Sequence, residues 1–297
     1  MDATPWGLIR AMGQVSLRTN DLGASIHDAV DVLGLQVTAA ERGVTYLAAS
    51  AVHHELRLIE SSENGVESLG LIARDGDAFR ELRSRVDAEG LRILRHRPAP
   101  LGVADSFAFV GPEGFVFEVM HDIQDRRIDR VGFGPTRYGH FNFHPTQPTA
   151  MKEFLVRVFG FRVSDVIGED YAYFLRCNSE HHGIAIIKGD GTLHHHAWGA
   201  QSVSELTRLG DRLHVLGRKL IWGPVRHGAG SNIAAYYVEH TGNVVELYTD
   251  IEHIYNDLRA PVYWQESDVW FNDWSDYVPE GFRRLGVRPA EVVDGVA

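Results

Sequence analysis

The sequence predicts an α+β protein made of two similar domains, each of two βαβββ modules. Two observations predict it. The chain repeats itself from one half to the other, and within each half the hydrophobic period alternates between strand-like and helix-like in the same order. Val32-Leu33-Gly34-Leu35-Gln36-Val37 matches Val158-Phe159-Gly160-Phe161-Arg162-Val163 at an offset of 126, and Gly13-Gln14-Val15-Ser16-Leu17 faces Gly139-His140-Phe141-Asn142-Phe143 at the same offset. His53-His54-Glu55-Leu56 faces His181-His182-Gly183-Ile184, and Gly114-Phe115-Val116-Phe117-Glu118 faces Gly242-Asn243-Val244-Val245-Glu246, both at 128. A drift of two residues over that distance amounts to a loop indel or two, so the halves read as a duplication.

Each element follows from its local pattern. Ile26, Ala29, Val30 and Leu33 fall at helical spacing, as do Met151, Phe154, Leu155 and Val158, and each group ends at a glycine suited to a helix C-cap. Strand-like runs follow at Thr45–Ala48 and Glu55–Ile59 in the first half, and at Ala172–Leu175 and Gly183–Ile187 in the second. Further helices are expected near Asp77–Ala88 and Val203–Leu216, with final strands near Phe115–Val119 and Val244–Tyr248. The expected boundaries are 1–128 for a domain without metal, 135–258 for a metal-binding domain and 259–297 for a C-terminal arm, with Asp122–Arg130 as the connector.

Composition narrows the class of partner. With 44% hydrophobic and 23% charged residues in 297, the chain belongs among globular proteins. A formal net charge of -11 without a long basic run argues against nucleic acid and anionic membranes as partners. Cys177 is the single cysteine, and Met1–Pro5 carries no basic leader, so a cytoplasmic protein acting on small molecules, as an assembly of identical subunits, is expected.

The chemistry-bearing residues emerge where the halves differ. Sixteen histidines are present, and most need no functional explanation. Where the second half has His140 the first has Gln14, and where it has His195 the first has Ser68, while Glu118 persists opposite Glu246. Two imidazoles and a carboxylate on equivalent strands of one copy point to a metal site there. That donor set leaves three positions of an octahedral ion open, which suits non-haem Fe(II) activating dioxygen and also accepts Mn(II). Alternation along the strand puts His140 and Asn142 on one face. A buried Glu246 carboxylate would be costly without a cation beside it.

The segments Gly223-Pro224-Val225-Arg226-His227-Gly228 through Tyr236, and Thr241-Gly242-Asn243-Val244-Val245-Glu246-Leu247-Tyr248, resemble the signature of the type I extradiol dioxygenases of the vicinal oxygen chelate superfamily. In that family a histidine is followed nine residues on by a tyrosine and ten later by a metal-binding glutamate, the spacing of His227, Tyr236 and Glu246 here. Gly139-His140-Phe141-Asn142 is similar to the family's first ligand strand, and Asn178–Ala185 to its second-shell histidine segment. The resemblance covers nearly the whole chain and implies the vicinal oxygen chelate fold, with His140, His195 and Glu246 as ligands of Fe(II) or Mn(II). Leu193-His194-His195-His196-Ala197-Trp198 offers three candidates for the second ligand; the family form selects His195, with His196 the alternative, and strand alternation would turn His194 and His196 away.

The resemblance further implies extradiol cleavage of a catechol by O2 to a muconic semialdehyde. His182 would stabilise negative charge on the oxygen side and act as general acid, and His227 and Tyr236 would bind the catechol oxygens. His182 is preferred to His181, which is expected at the rim. Asn142, Phe174 and Trp222 join His227 and Tyr236 as expected substrate contacts. Relatives that cleave carboxylated catechols carry an arginine where this chain has Trp222, which implies a neutral aryl- or alkyl-substituted catechol. The tail from Pro261 to Val287, with Trp264, Trp270, Phe271 and Trp274, reads either as an arm over the pocket mouth or as an oligomer contact. Two other classes remain alternatives, a metal-dependent isomerase or lyase of the same superfamily and a non-catalytic small-molecule-binding protein.

Overall fold

The computed structural model describes residues 7–94, 100–126 and 132–292. The expected leader reading at Met1–Pro5, and the part of the connector at 127–130, lie outside the described residues. The first half runs β1 (Ile9–Thr19), α1 (Leu22–His27, extended by a wider turn over Asp28–Leu33), β2 (Gln36–Glu41), β3 (Val44–Ala48), β4 (Leu56–Glu60), β5 (Gly65–Ala73), α2 (Gly76–Ala88), β6 (Val103–Val110) and β7 (Val116–Ile123). The second repeats it as β8 (Arg137–His144), α3 (Pro148–Phe154, extended over Leu155–Phe159), β9 (Arg162–Ile167), β10 (Ala172–Arg176), β11 (Ile184–Ile187), β12 (Thr192–Gly199), α4 (Val203–Val215), β13 (Trp222–Arg226), β14 (Ile233–Val238) and β15 (Val244–Thr249), followed by a short β16 (Val262–Trp264).

Three modules have the full βαβββ order. In the module begun by β5, the strand expected directly after α2 is reduced, among the described residues, to a single bridge between Ile93 and Phe109. Helix ends follow local chemistry: the Asp21 and Asp75 carboxylates accept from Ala24 N and Ala78 N at the starts of α1 and α2. The extended helices stop at Gly34 (φ 89°) and Gly160 (φ 76°), the left-handed positions expected from the sequence.

The strands form two mixed sheets, ordered β2-β3-β4-β1-β5-β7-β6 and β13-β14-β15-β12-β8-β11-β10-β9-β16. Each half has a parallel pair beside an antiparallel one at its centre: β1 with β4 and β5, β8 with β11 and β12. The registers are equivalent as well, Ser16 facing Ser68 as Asn142 faces His195, and Gly70 facing Glu118 as Ala197 faces Glu246.

One apolar core spans both halves. Phe115, just before β7, and Phe117, on it, meet Phe143 at centroid distances of 4.7 and 6.0 Å, and Phe117 meets Phe159 at 5.4 Å. Truncating such a ring typically costs about 3–5 kcal/mol. Polar ties reinforce the junction: Glu55 accepts from Tyr138 N at 2.9 Å, and Arg157 pairs with Glu89 at 2.6 Å. The site is therefore carried on the outer face of a sheet whose inner face is fixed by aromatic packing. No helix among the described residues is long and apolar enough to cross a membrane.

Candidate metal centre

Period-two alternation on β8 sends Phe141 and Phe143 into the shared core and leaves His140 and Asn142 facing a cleft of about 490 Å³. On β15, Val245 and Leu247 take the core side and Glu246 the cleft side. Gly139 has a steric reason to precede His140: a Cβ there would stand 2.1 Å from Tyr248 Oη, so any side chain would displace the first candidate ligand strand.

On β12 the register shifts between Leu193 and His195. This bulge corrects the expected alternation, because His194 and His195 both line the cleft. His196 alone turns away and accepts from Trp198 Nε1 at 2.8 Å. The second candidate ligand is thus His195, whose Nε2 lies 3.0 Å from Glu246 Oε2, with His140 Nε2 at 3.2 Å from the same oxygen. One donor atom from each of the three falls within 4.8 Å of the others.

The donor set fits a divalent cation. Glu246 is 1% exposed, and its only ion-pair partners among the described residues are the two imidazoles. Burial alone would raise its pKa, yet His140 and His195 outweigh burial and hold it well below the usual carboxylate range. Burial meanwhile lowers His195, which favours its neutral, metal-binding form. Asn232 Nδ2 donates to Glu246 Oε1 at 3.1 Å, fixing the carboxylate plane. Asn142 Oδ1, on the cleft wall, has no protein partner.

Around this cluster stand His182, His227 and Tyr236. The His182 ring is 4.5 Å from that of His140, and burial pushes its pKa well below the ordinary value. His227 Nδ1 lies 2.6 Å from the Phe271 carbonyl, an acceptor, so this nitrogen carries the proton. Its Nε2 then accepts from Tyr236 Oη at 2.7 Å. Burial pushes the Tyr236 hydroxyl well above its ordinary pKa, with the Glu246 charge adding to the effect.

Phe174 lines the cleft and touches the His182 ring at 5.1 Å. Trp222, expected to contact substrate, is not among the lining residues. It stacks behind Tyr236 at 5.4 Å and against Phe271 at 4.7 Å, bracing the wall rather than forming it. The outer wall comes instead from the C-terminal arm, which contributes Trp270, Phe271, Phe282 and Arg283. Sequence reasoning missed Asn232, His144 and Arg283. Asn232 sits midway between His227 and Tyr236 in a segment already singled out, and His144 continues the His140, Asn142 alternation on β8, but Arg283 reaches the cleft only through tertiary packing.

Residues 137–247 match the family described as the glyoxalase/bleomycin resistance protein/dioxygenase superfamily. The matched stretch lies in the half that carries the candidate ligands. The chain's distant full-length relatives are extradiol dioxygenases. Metapyrocatechase from Geobacillus stearothermophilus is 24% identical over 88% of this chain and 87% of its own length. The manganese-dependent 2,3-dihydroxybiphenyl 1,2-dioxygenase of Geobacillus genomosp. 3 is 22% identical over 88% and 91%. Among solved structures, a Mn(II)-bound glyoxalase from Novosphingobium aromaticivorans superposes with a TM-score of 0.84 and 28% identity, covering 97% of this chain and 96% of the other. The complex of homoprotocatechuate 2,3-dioxygenase from Brevibacterium fuscum with 3,4-dihydroxyphenylacetate gives a TM-score of 0.88 at 22% identity, covering 96% and 94%. The chain is thus extradiol dioxygenase-like in sequence and fold, and carries a two-histidine, one-glutamate metal site in its second half.

Proposed function

We propose that the chain is an extradiol dioxygenase that inserts both atoms of O2 into a catechol ring beside the paired hydroxyls, giving a muconic semialdehyde-type product. The observation that carries this reading is the convergence of His140, His195 and Glu246 with His182 and the His227–Tyr236 pair on one apolar-walled cleft. His140, His195 and Glu246 would hold Fe(II) or Mn(II). The ion supplies a shared coordination sphere for catechol and dioxygen and makes the catechol hydroxyls more acidic.

The chain's own groups handle binding and protons. Tyr236 donates its hydroxyl proton to His227, so its oxygen lone pairs remain for a catechol hydroxyl. A proton leaving the catechol can pass to Tyr236 Oη as Tyr236 passes its own to His227 Nε2, which avoids a free phenolate that burial disfavours. His182, whose ring lies 4.5 Å from that of His140, would donate to oxygen. Phe174, Ile187, Trp270 and Phe271 offer an apolar wall for a neutral alkyl or aryl substituent.

The likeness to a Mn(II)-bound glyoxalase favours a second reading, a metal-dependent isomerase. An isomerase consumes no oxygen and needs no donor on an oxygen side. The deciding experiment gives aerobic, iron-replete protein a panel of catechols and follows O2 uptake, yellow product and mass. One O2 consumed per ring opened, with both atoms retained in the product, is expected. Absence of O2 uptake with every catechol overturns the reading.

A further inference from the structure

The C-terminal arm meets the cleft at a turn, Phe282–Arg284, and two histidines that the proposed chemistry does not use hold that turn. His144, at the end of β8, and His194, at the β12 bulge, stack with ring centroids 4.4 Å apart. Both are buried. His144 Nδ1 lies 3.0 Å from the Arg283 carbonyl oxygen, and His194 Nε2 lies 2.7 Å from that of Phe282. A carbonyl only accepts, so each ring turns an N–H to the arm, and one stacked pair grips two successive carbonyls.

The chain beyond the turn is seated on both halves. Leu193 N donates to Val287 O at 2.9 Å and Val287 N to Leu193 O at 3.0 Å, which lays the arm along β12. Gly286 permits that approach: its φ is 115°, and a Cβ there would stand 2.5 Å from the Leu193 carbonyl oxygen. Val66 N then donates to Arg288 O at 3.0 Å, and Ala290 N to Val66 O at 2.9 Å. Val66 precedes a bulge on β5 as Leu193 precedes the one on β12, so the arm pairs with the same strand position in each half. Only the second half adds a grip. The positions equivalent to His144 and His194 are Arg18 and Glu67, which are bonded to each other at 2.6 Å.

The grip places Phe282. Its ring is buried and meets Tyr236 at 5.2 Å and Trp222 at 4.9 Å. We propose that His144 and His194 are positioning residues that clasp the arm by the Phe282 and Arg283 carbonyls, and that the clasp makes Phe282 a fixed wall on the Tyr236 side of the cleft, against which a ring substituent packs. Its part in substrate choice rests on the dioxygenase reading. The turn has bonds of its own, Arg284 N to Gly281 O at 2.9 Å and Leu285 N to Phe282 O at 3.2 Å. Loss of a histidine donor therefore shifts an intact turn away from the wall rather than unravelling it.

The test uses full-length, metal-loaded protein. His144→Phe keeps an aromatic ring and removes the donor, whereas His144→Asn keeps a donor, its amide nitrogen standing in for the ring Nδ1. Hydrogen–deuterium exchange of the segment 278–290 should be about three- to tenfold faster in His144→Phe, the effect of one lost hydrogen bond, and parent-like in His144→Asn. Gly286→Ala, made on the arm without touching either histidine, should also speed it, and carries the test if His144→Phe does not fold. With iron, KM for 2,3-dihydroxybiphenyl should rise about threefold or more in His144→Phe and Gly286→Ala, by a larger factor than kcat falls, and His144→Asn should restore it. Parent-like exchange in His144→Phe and Gly286→Ala, a fall in kcat with KM unchanged, or failure of His144→Asn to restore either readout overturns the proposal. Exchange needs no turnover, so the clasp is decided even if the parent opens no catechol, and the two readings fail separately.

Discussion

Arg57 Nη2 lies 2.8 Å from Glu118 Oε2 in the first half, at the place where the second half gathers its two imidazoles around Glu246. Gln14 Nε2 adds a donor to the same oxygen at 3.0 Å and Ser68 Oγ another at 3.2 Å. The duplicated carboxylate is thus neutralised by a guanidinium in one copy and left for a metal ion in the other.

Metal should therefore bind only the second half. Analysis of purified, metal-loaded protein should approach one ion per chain, and Glu246→Ala combined with His140→Ala should abolish it. Two ions per chain, or retention in the double variant, would sink the assignment.

Removing the guanidinium leaves Glu118 buried without its cation. Arg57→Ala is expected to cost about 3–5 kcal/mol, the usual consequence of breaking a buried pair from one side. The measurement is the shift in urea midpoint, and a loss below about 1 kcal/mol would mean that Gln14 and Ser68 suffice.

His182→Phe should keep iron and bind catechol but lose about 10²–10⁴-fold in kcat, the range for a lost general acid. Near-normal turnover would show that another group supplies the proton.

Substrate charge is decided at the cleft wall. Among the described residues Arg283 is its only lysine or arginine, and the guanidinium is exposed, bonded to Tyr171 Oη at 2.7 Å and laid over the Trp270 and Phe271 rings. A solvated cation contributes little to an ion pair, typically under about 1 kcal/mol, whereas a carboxylate buried among these rings would lose its hydration. Alkyl or aryl catechols are expected to exceed 3,4-dihydroxyphenylacetate in kcat/KM by about 10²-fold, or about 2.7 kcal/mol. Arg283→Leu should leave the neutral substrates unchanged. Equal or better turnover of the acid, lost in Arg283→Leu, would instead assign its carboxylate to Arg283. Arg176 and Arg226, the basic residues nearest the motifs in sequence, are engaged elsewhere, with Val163 O and Ser164 and with Asp250.

Glu239 is 7% exposed, and burial raises its pKa to about 7, partly offset by bonds from Thr241 and Asn243. The folded state therefore holds a proton that the unfolded chain gives up near its ordinary value. That stability is fully present below about pH 4.5 and is lost as pH rises through about 7, roughly 3 kcal/mol in all. In Glu239→Gln the fall between pH 5 and 8 should be much smaller, measured by urea midpoints across that range; an unchanged slope refutes it.

The duplication, the order of elements and the facial donor set were determined by the sequence, because they depend on local periodicity and on spacing within single strands. The glycines that end α1 and α3, and the His227, Tyr236 and Glu246 spacing, could be read without a fold. Tertiary structure decided the rest. A one-residue bulge on β12 brought His194 to the cleft against strict alternation, since a bulge is set by pairing with β8 and leaves no mark in a run of three histidines. Trp222 was displaced from the pocket because Phe271, 49 residues away, stacks on it and takes the wall. His181 moved from the rim to the interior because Asp165 and Arg259 offered a buried site for its ring, an electrostatic fit between segments that local pattern cannot report.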